Sequence, residues 1–117
     1  MNKFLKSFVY AFKGFRQLLF ERNFKLHLVS MVLVILSTFI FQYNFTEWMI
    51  LISCIVMVLA AEGFNTAIEK LVDLVSPDHN EQAGKVKDMS AAAVLIVSIG
   101  SLVVMLLMIY KKMGNLN

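Results

Sequence analysis

The chain has 117 residues, of which 59% are hydrophobic and 16% charged, with a formal net charge of +3 and a mean hydropathy of +0.73. Those proportions exclude an ordinary soluble domain and leave a small integral membrane protein, with no nucleic-acid partner expected. The single cysteine, Cys54, lies within an apolar stretch, so no internal disulfide is possible.

Residues 1–22 predict a surface helix. Phe4, Leu5, Phe8, Val9, Phe12, Phe15 and Leu19 gather within about 100° of a helical wheel, and Lys3, Lys6, Lys13, Arg16 and Gln17 take the other side. A secretory signal would show a uniform apolar run and a small-residue cleavage site, and neither is here. Such a helix lies in the membrane interface with its basic face towards anionic headgroups, or packs on the protein's own cytoplasmic end.

A first span is expected over 26–43, softened by His27, Ser30, Ser37 and Thr38. A second, with its cytoplasmic extension, covers 46–75, and its stretch from Trp48 to Ala61 carries no charge. Its end carries Glu62, Asn65, Glu69 and Asp73, which fall within about 80° of one another around a helix axis. Acids in such a place are costly and mark a functional site. Glu62 is about 21 Å along the helix from Trp48, still within the edge of a hydrocarbon core about 30 Å thick. Glu69, at about 31 Å, is just emerging.

The polar run from Ser76 to Gly84 forms the second connection, with Pro77 ending the helix before it. Lys85 to Asp88 lead into a third span over 89–110, which places Asp88 near that helix's cap. Nine basic residues (Lys3, Lys6, Lys13, Arg16, Arg22, Lys25, Lys70, Lys85 and Lys87) lie on one side, and Lys111 and Lys112 on the other. The N-terminus and second connection are therefore expected in the cytoplasm, with Tyr43 and Trp48 in an aromatic belt at the outer interface. Glu47, also at that interface, reads as a surface charge with no part in the chemistry.

Glu21-Arg-Asn-Phe24, the run from Glu62-Gly-Phe-Asn65 through Glu69 to Asp73, and Lys87-Asp88 ahead of Ala91-Ala-Ala-Val-Leu95 resemble the prokaryotic diacylglycerol kinase family, which includes undecaprenol kinases. The resemblance covers nearly the whole chain. It implies an all-α integral membrane lipid kinase of the bacterial inner membrane, transferring the γ-phosphate of Mg-ATP to undecaprenol or diacylglycerol to give undecaprenyl phosphate or phosphatidic acid. It implies a homotrimer of three-span protomers with active sites between them at the cytoplasmic face. Residue by residue, it implies Glu62 as general base, Asn65 as the amide supporting the site, and Glu21 and Glu69 as the magnesium ligands. It places Lys87, Asp88, Asp78, His79, Asn80, Tyr10 and Lys3 on the nucleotide, together with Glu21 and Glu69. It places Asn23, Phe24, Lys25 and His27 at the lipid entrance with Glu62. The chain is one residue shorter than the family pattern between Lys13-Gly14 and Glu21, which leaves the register of Lys3 and Tyr10 open. Gly63-Phe64 replaces a pair of larger aliphatics.

The residues agree with that chemistry. No G-x-x-x-x-G-K-[ST] phosphate loop occurs, so the triphosphate must be neutralised by Mg²⁺ and lysines. Mg²⁺ takes one or two carboxylates plus phosphates and waters. Phosphoryl transfer asks mainly for positioning, with a carboxylate to accept the hydroxyl proton. The plainer readings are that Glu21 is a charge at the start of the first span, that His27 is an interfacial hydrogen-bonding residue, that His79 is solvated and idle, and that the eight methionines pack in the membrane. A small proton-coupled transporter using the Glu62 face is the alternative function, but it would put its acid near the bilayer midplane and need no second carboxylate further out.

Overall fold

The computed structural model describes residues 2–116; Met1 and Asn117, the ends of the single domain expected over 1–117, lie outside the described residues. The chain is four helices in sequence: α1 (Lys3–Leu19), α2 (Arg22–Phe41), α3 (Phe45–Val75) and α4 (Glu81–Leu116). The last three are long and apolar enough to cross a membrane.

Each boundary has a local cause. Asn2 caps α1 by accepting from the Leu5 N–H at 2.9 Å. Only Phe20 and Glu21 separate α1 from α2, and Glu21 occupies the cap position of α2 without using its side chain as a cap. Gln42 ends α2 in the left-handed conformation, with φ of 48°, an arrangement common just past a helix. Asn44 and Glu47 then form a reciprocal capping box, each side chain bonded to the other's backbone N–H at 2.9 Å. Val75 is the last residue of α3, ahead of Ser76 and Pro77, because a proline cannot donate to a continuing helix and restricts its predecessor.

One boundary departs from expectation. α4 starts at Glu81, well ahead of Met89, because Asn80 accepts from the Ala83 N–H at 3.1 Å and supplies a cap there. The connection is thus only residues 76–80, and Asp88 lies inside the helix rather than at its cap. Glu81 takes the first-turn acidic position that Asp88 was expected to fill.

α3 is the central element, packing extensively along α4 and less on α2, while α1 touches α2 lightly. The smallest dimension of the molecule is 20 Å, about two helix diameters, so the helices form a layer rather than a closed bundle. Gly63 lets α1 approach α3: a Cβ there would meet the Leu18 Cδ1 atom at 3.3 Å. Phe24, 2% exposed, packs edge-on against Phe15 with ring centroids 6.1 Å apart. This pins the start of α2 to the end of α1.

At the turn between α2 and α3 a second set of contacts gathers. Lys112, near the far end of α4, donates to Glu47 Oε2 at 2.8 Å and to the Gln42 carbonyl at 2.9 Å. Its ammonium also lies 5.6 Å from the centroid of the Tyr43 ring, within cation–π range. Tyr43 is buried and meets Trp48 edge-on at 6.4 Å. Glu47 is therefore a structural residue that closes α4 onto the α2–α3 turn, not a bare surface charge.

Candidate active site

The acidic stripe of α3 is where polar groups become buried. Glu62 is 3% exposed and Asn65 4%, with Thr66 buried beside them. The unbroken helix through Gly63 keeps these positions on one face. That face meets the start of α2 on one side and α4 on the other.

Glu62 Oε2 lies 3.3 Å from His27 Nε2, whereas Glu62 Oε1 is buried with no hydrogen-bond partner. One turn on, the Asn65 amide donates to Glu69 Oε1 at 3.2 Å, which leaves Asn65 Oδ1 as a second buried acceptor without a partner. Buried polar groups are ordinarily satisfied, so two orphaned acceptors side by side call for a donor from outside the chain. Both residues line one groove of about 220 Å³, formed by Asn23, Leu26 and His27 of α2, by Glu62, Asn65 and Glu69 of α3, and by Ala91 and Val94 of α4.

Further along the stripe, Asp73 accepts from the Lys87 ammonium across the α3–α4 interface. Lys87, which the resemblance assigns to the nucleotide, is thereby held at the acidic stripe with its charge committed to Asp73. Asp78, His79 and Asp88 are exposed, and Asn80 is engaged as the cap of α4. Tyr10 is exposed on α1 with the Lys13 ammonium 5.8 Å from its ring, and does not line the groove; Lys3, the first residue of α1, is exposed as well.

The segment 23–27 divides by helical period. Asn23 and His27, four apart, face the groove. Phe24 is turned into the contact with α1, lining a separate apolar cavity of about 420 Å³ with Phe15, Leu18 and Gly63. Lys25 is exposed, its ammonium 6.0 Å from the Phe20 ring. Glu21 does not line the groove either, because its carboxylate pairs with Lys70 Nζ at 2.9 Å.

Lys70 and Thr66 are the residues that sequence reasoning missed. Lys70 adjoins Glu69, and its partner is remote in sequence, so only its proximity to the stripe signalled it. Thr66 sits next to Asn65, where a short polar side chain in a buried stretch was the available sign.

The arrangement offers a buried proton acceptor, an amide, and a second carboxylate nearer the end of the helix, on a groove between three membrane-long helices. It suits deprotonation of a hydroxyl beside a site that holds charged groups.

The chain as a whole is similar to known proteins of one family. The family model described as prokaryotic diacylglycerol kinase matches residues 9–109. Among curated relatives, an undecaprenol kinase of Bacillus subtilis (strain 168) is 35% identical over 114 residues, covering 97% of this chain and 93% of that protein. A diacylglycerol kinase of Escherichia coli (strain K12) is 28% identical over the same shares of both chains. A diacylglycerol kinase of Synechocystis sp. is 36% identical over 104 residues, 86% of this chain and 58% of the relative.

Proposed function

The chain belongs to the prokaryotic diacylglycerol kinase family, and from that premise we propose that it is a membrane lipid kinase which moves the γ-phosphate of ATP onto the hydroxyl of a lipid, with undecaprenol as the acceptor and diacylglycerol as the competing candidate. Over the same 97% of this chain, identity is 35% to the undecaprenol kinase and 28% to the Escherichia coli diacylglycerol kinase, which supports that order. The Synechocystis diacylglycerol kinase, at 36% over 86% of the chain, keeps diacylglycerol as the competitor. The observation that carries the reaction is the pair of buried, unpartnered acceptors, Glu62 Oε1 and Asn65 Oδ1, on two residues that line one groove.

The lipid alcohol enters the groove with its hydroxyl donating to Glu62 Oε1. As the hydroxyl oxygen attacks the γ-phosphorus and the bond to the β–γ bridging oxygen breaks, the proton passes to Glu62; lipid phosphate and ADP result. Asn65 fixes Glu69 through its amide, so the second carboxylate is held at a set distance from the base.

Among the described residues no group of three or more His, Cys, Asp and Glu side chains is gathered for a metal. Magnesium suits such a site, since it binds through one or two carboxylates and keeps phosphate oxygens and waters as its other ligands. Glu69 and Glu21 would hold it, Glu21 leaving Lys70, and bound there it would neutralise charge on the transferring phosphate. Lys87, Asp88, the loop from Asp78 to Asn80, Tyr10 and Lys3 are assigned to the nucleotide.

These nucleotide residues do not line the groove within one chain, which supports a homotrimer whose sites are completed between protomers. In the same reading α1 lies on the cytoplasmic surface of the inner membrane, with its basic side towards headgroups.

Phosphorylation of undecaprenol and diacylglycerol in mixed micelles, assayed side by side with labelled ATP, tests the acceptor. Glu62→Gln should lower turnover by about 10²-fold or more with the KM for Mg-ATP little changed. Glu69→Gln should raise that KM as well as lower the rate. Near-normal turnover in Glu62→Gln would overturn the assignment, as would abolished Mg-ATP binding in both variants.

A further inference from the structure

The two oxygens of Glu62 are in different situations. Oε2 is 3.3 Å from His27 Nε2, while Oε1 has no partner although it is buried. Asn65, the nearest amide along the stripe, gives its N–H to Glu69. α4 contributes only the apolar Ala91 and Val94 to this groove. Among the described residues, His27 alone brings a nitrogen to a Glu62 oxygen within ion-pair distance.

A glutamate has three side-chain torsions, and a base that is free to turn spends little time in reach of the proton it must take. Misplacement by about 1 Å is enough to lower a rate by about 10²-fold. An imidazole 3.3 Å from one oxygen restricts the carboxylate and leaves the other as the unpartnered acceptor. We propose that His27 is the positioning residue for Glu62, fixing Oε2 so that Oε1 is the oxygen presented to the lipid hydroxyl. This rests on the reading of Glu62 as the base, and it makes the α2–α3 contact, rather than α3 alone, the unit that aims it.

Full-length His27→Ala and His27→Gln, Glu62→Gln and the double variant His27→Ala/Glu62→Gln test the proposal, assayed in mixed micelles containing undecaprenol and Mg-ATP. The side-chain amide of Gln reaches the place of the imidazole Nε2 and donates there. His27→Ala should lower kcat by about 10-fold to 100-fold with the KM for each substrate within about threefold of wild type. His27→Gln should recover most of that loss. The double variant should be no slower than Glu62→Gln alone, because a residue acting through Glu62 has nothing left to position.

A raised KM for the lipid with unchanged kcat would make His27 a lipid contact and overturn the proposal. So would equal losses in His27→Gln and His27→Ala, or losses that multiply in the double variant. An inactive Glu62→Gln beside a fully active His27→Ala sinks the positioning role alone. A fully active Glu62→Gln sinks the base itself. Should His27→Ala fail to fold, His27→Met, which keeps bulk without a donor, takes its place: a slow His27→Met beside a near-normal His27→Gln upholds the donor requirement, and equal turnover in the two refutes it.

Discussion

The contacts of single side chains separate groups held by burial from groups held only by charge. Glu62 and Asn65 are buried and surrounded, so their geometry is set by the packing of α2, α3 and α4. Glu21 and Lys70 are 35% and 64% exposed, and pair at 2.9 Å. Exposed ion pairs of this kind commonly add nothing measurable to stability, because Coulomb attraction in water is offset by side-chain entropy. Lys70→Ala should therefore leave the melting temperature of the solubilised protein unchanged. If Glu21 is a magnesium ligand, the same substitution frees it, and the Mg²⁺ concentration for half-maximal activity should fall; a higher requirement would count against that role. The stripe itself was legible in the sequence, since four polar residues at helical spacing after an uncharged run stand out. The pairing of Glu21 with Lys70 was not, because nothing in a one-dimensional pattern indicates which cation an acid will meet across two helices.

At the level of elements, the three spans were legible because membrane crossing demands long uncharged runs, and hydropathy reads those directly. The ends were less so. Asn80 could not be told from any other polar residue of the loop until its side chain was seen to accept from Ala83, and that one cap lengthens α4 and moves Asp88 into the helix. The contact of Lys112 with Glu47 was likewise hidden, since it joins residues 65 apart. It is the better candidate for a stabilising pair: the two side chains are 16% and 14% exposed, and the ammonium also meets a backbone carbonyl. Lys112→Met keeps most of the stem and removes the donor. It should destabilise the protein by about 1–2 kcal/mol, seen as faster thermal inactivation in micelles, with turnover at low temperature retained because the contact is remote from Glu62. Lys112→Arg should recover part of the loss. An unchanged inactivation rate in Lys112→Met would show that the contact does not hold α4.

For the whole molecule, the distribution of charge and the distribution of buried surface each make a prediction. The nine-to-two asymmetry of basic residues predicts that the α3–α4 connection lies in the cytoplasm and the α2–α3 turn outside. A cysteine placed at Asn44 in a Cys54→Ser background should be modified in intact cells by an impermeant thiol reagent; modification only after lysis would reverse the topology. Val94 is the only side chain of α4 that is buried among those described, and a layer about two helices thick leaves the groove of Glu62 partly uncovered. Acids in such a groove should not face lipid, so further copies of the chain are expected to close it. Mass measurement in mild detergent should give a trimer, and an active, monodisperse monomer would exclude it. This level was the least legible in the sequence, because self-association depends on which surfaces remain after the helices have packed.

The burial of Glu62 beside Glu69 also bears on how a lipid leaves. In the proposed reaction an uncharged alcohol enters that groove and donates one hydrogen bond, but the phosphate monoester made from it carries negative charge. The proposed reaction leaves Glu62 protonated, and His27 and the amide of Asn65 are already engaged. Once magnesium has left, Glu69 would repel the charge of the product and few donors would remain to pair with it. Turnover would then need no moving lid to clear the groove. The headgroup created by the proposed reaction would then leave towards water while its hydrocarbon tail stays in the bilayer, and the electrostatics of the product would favour its release over its return.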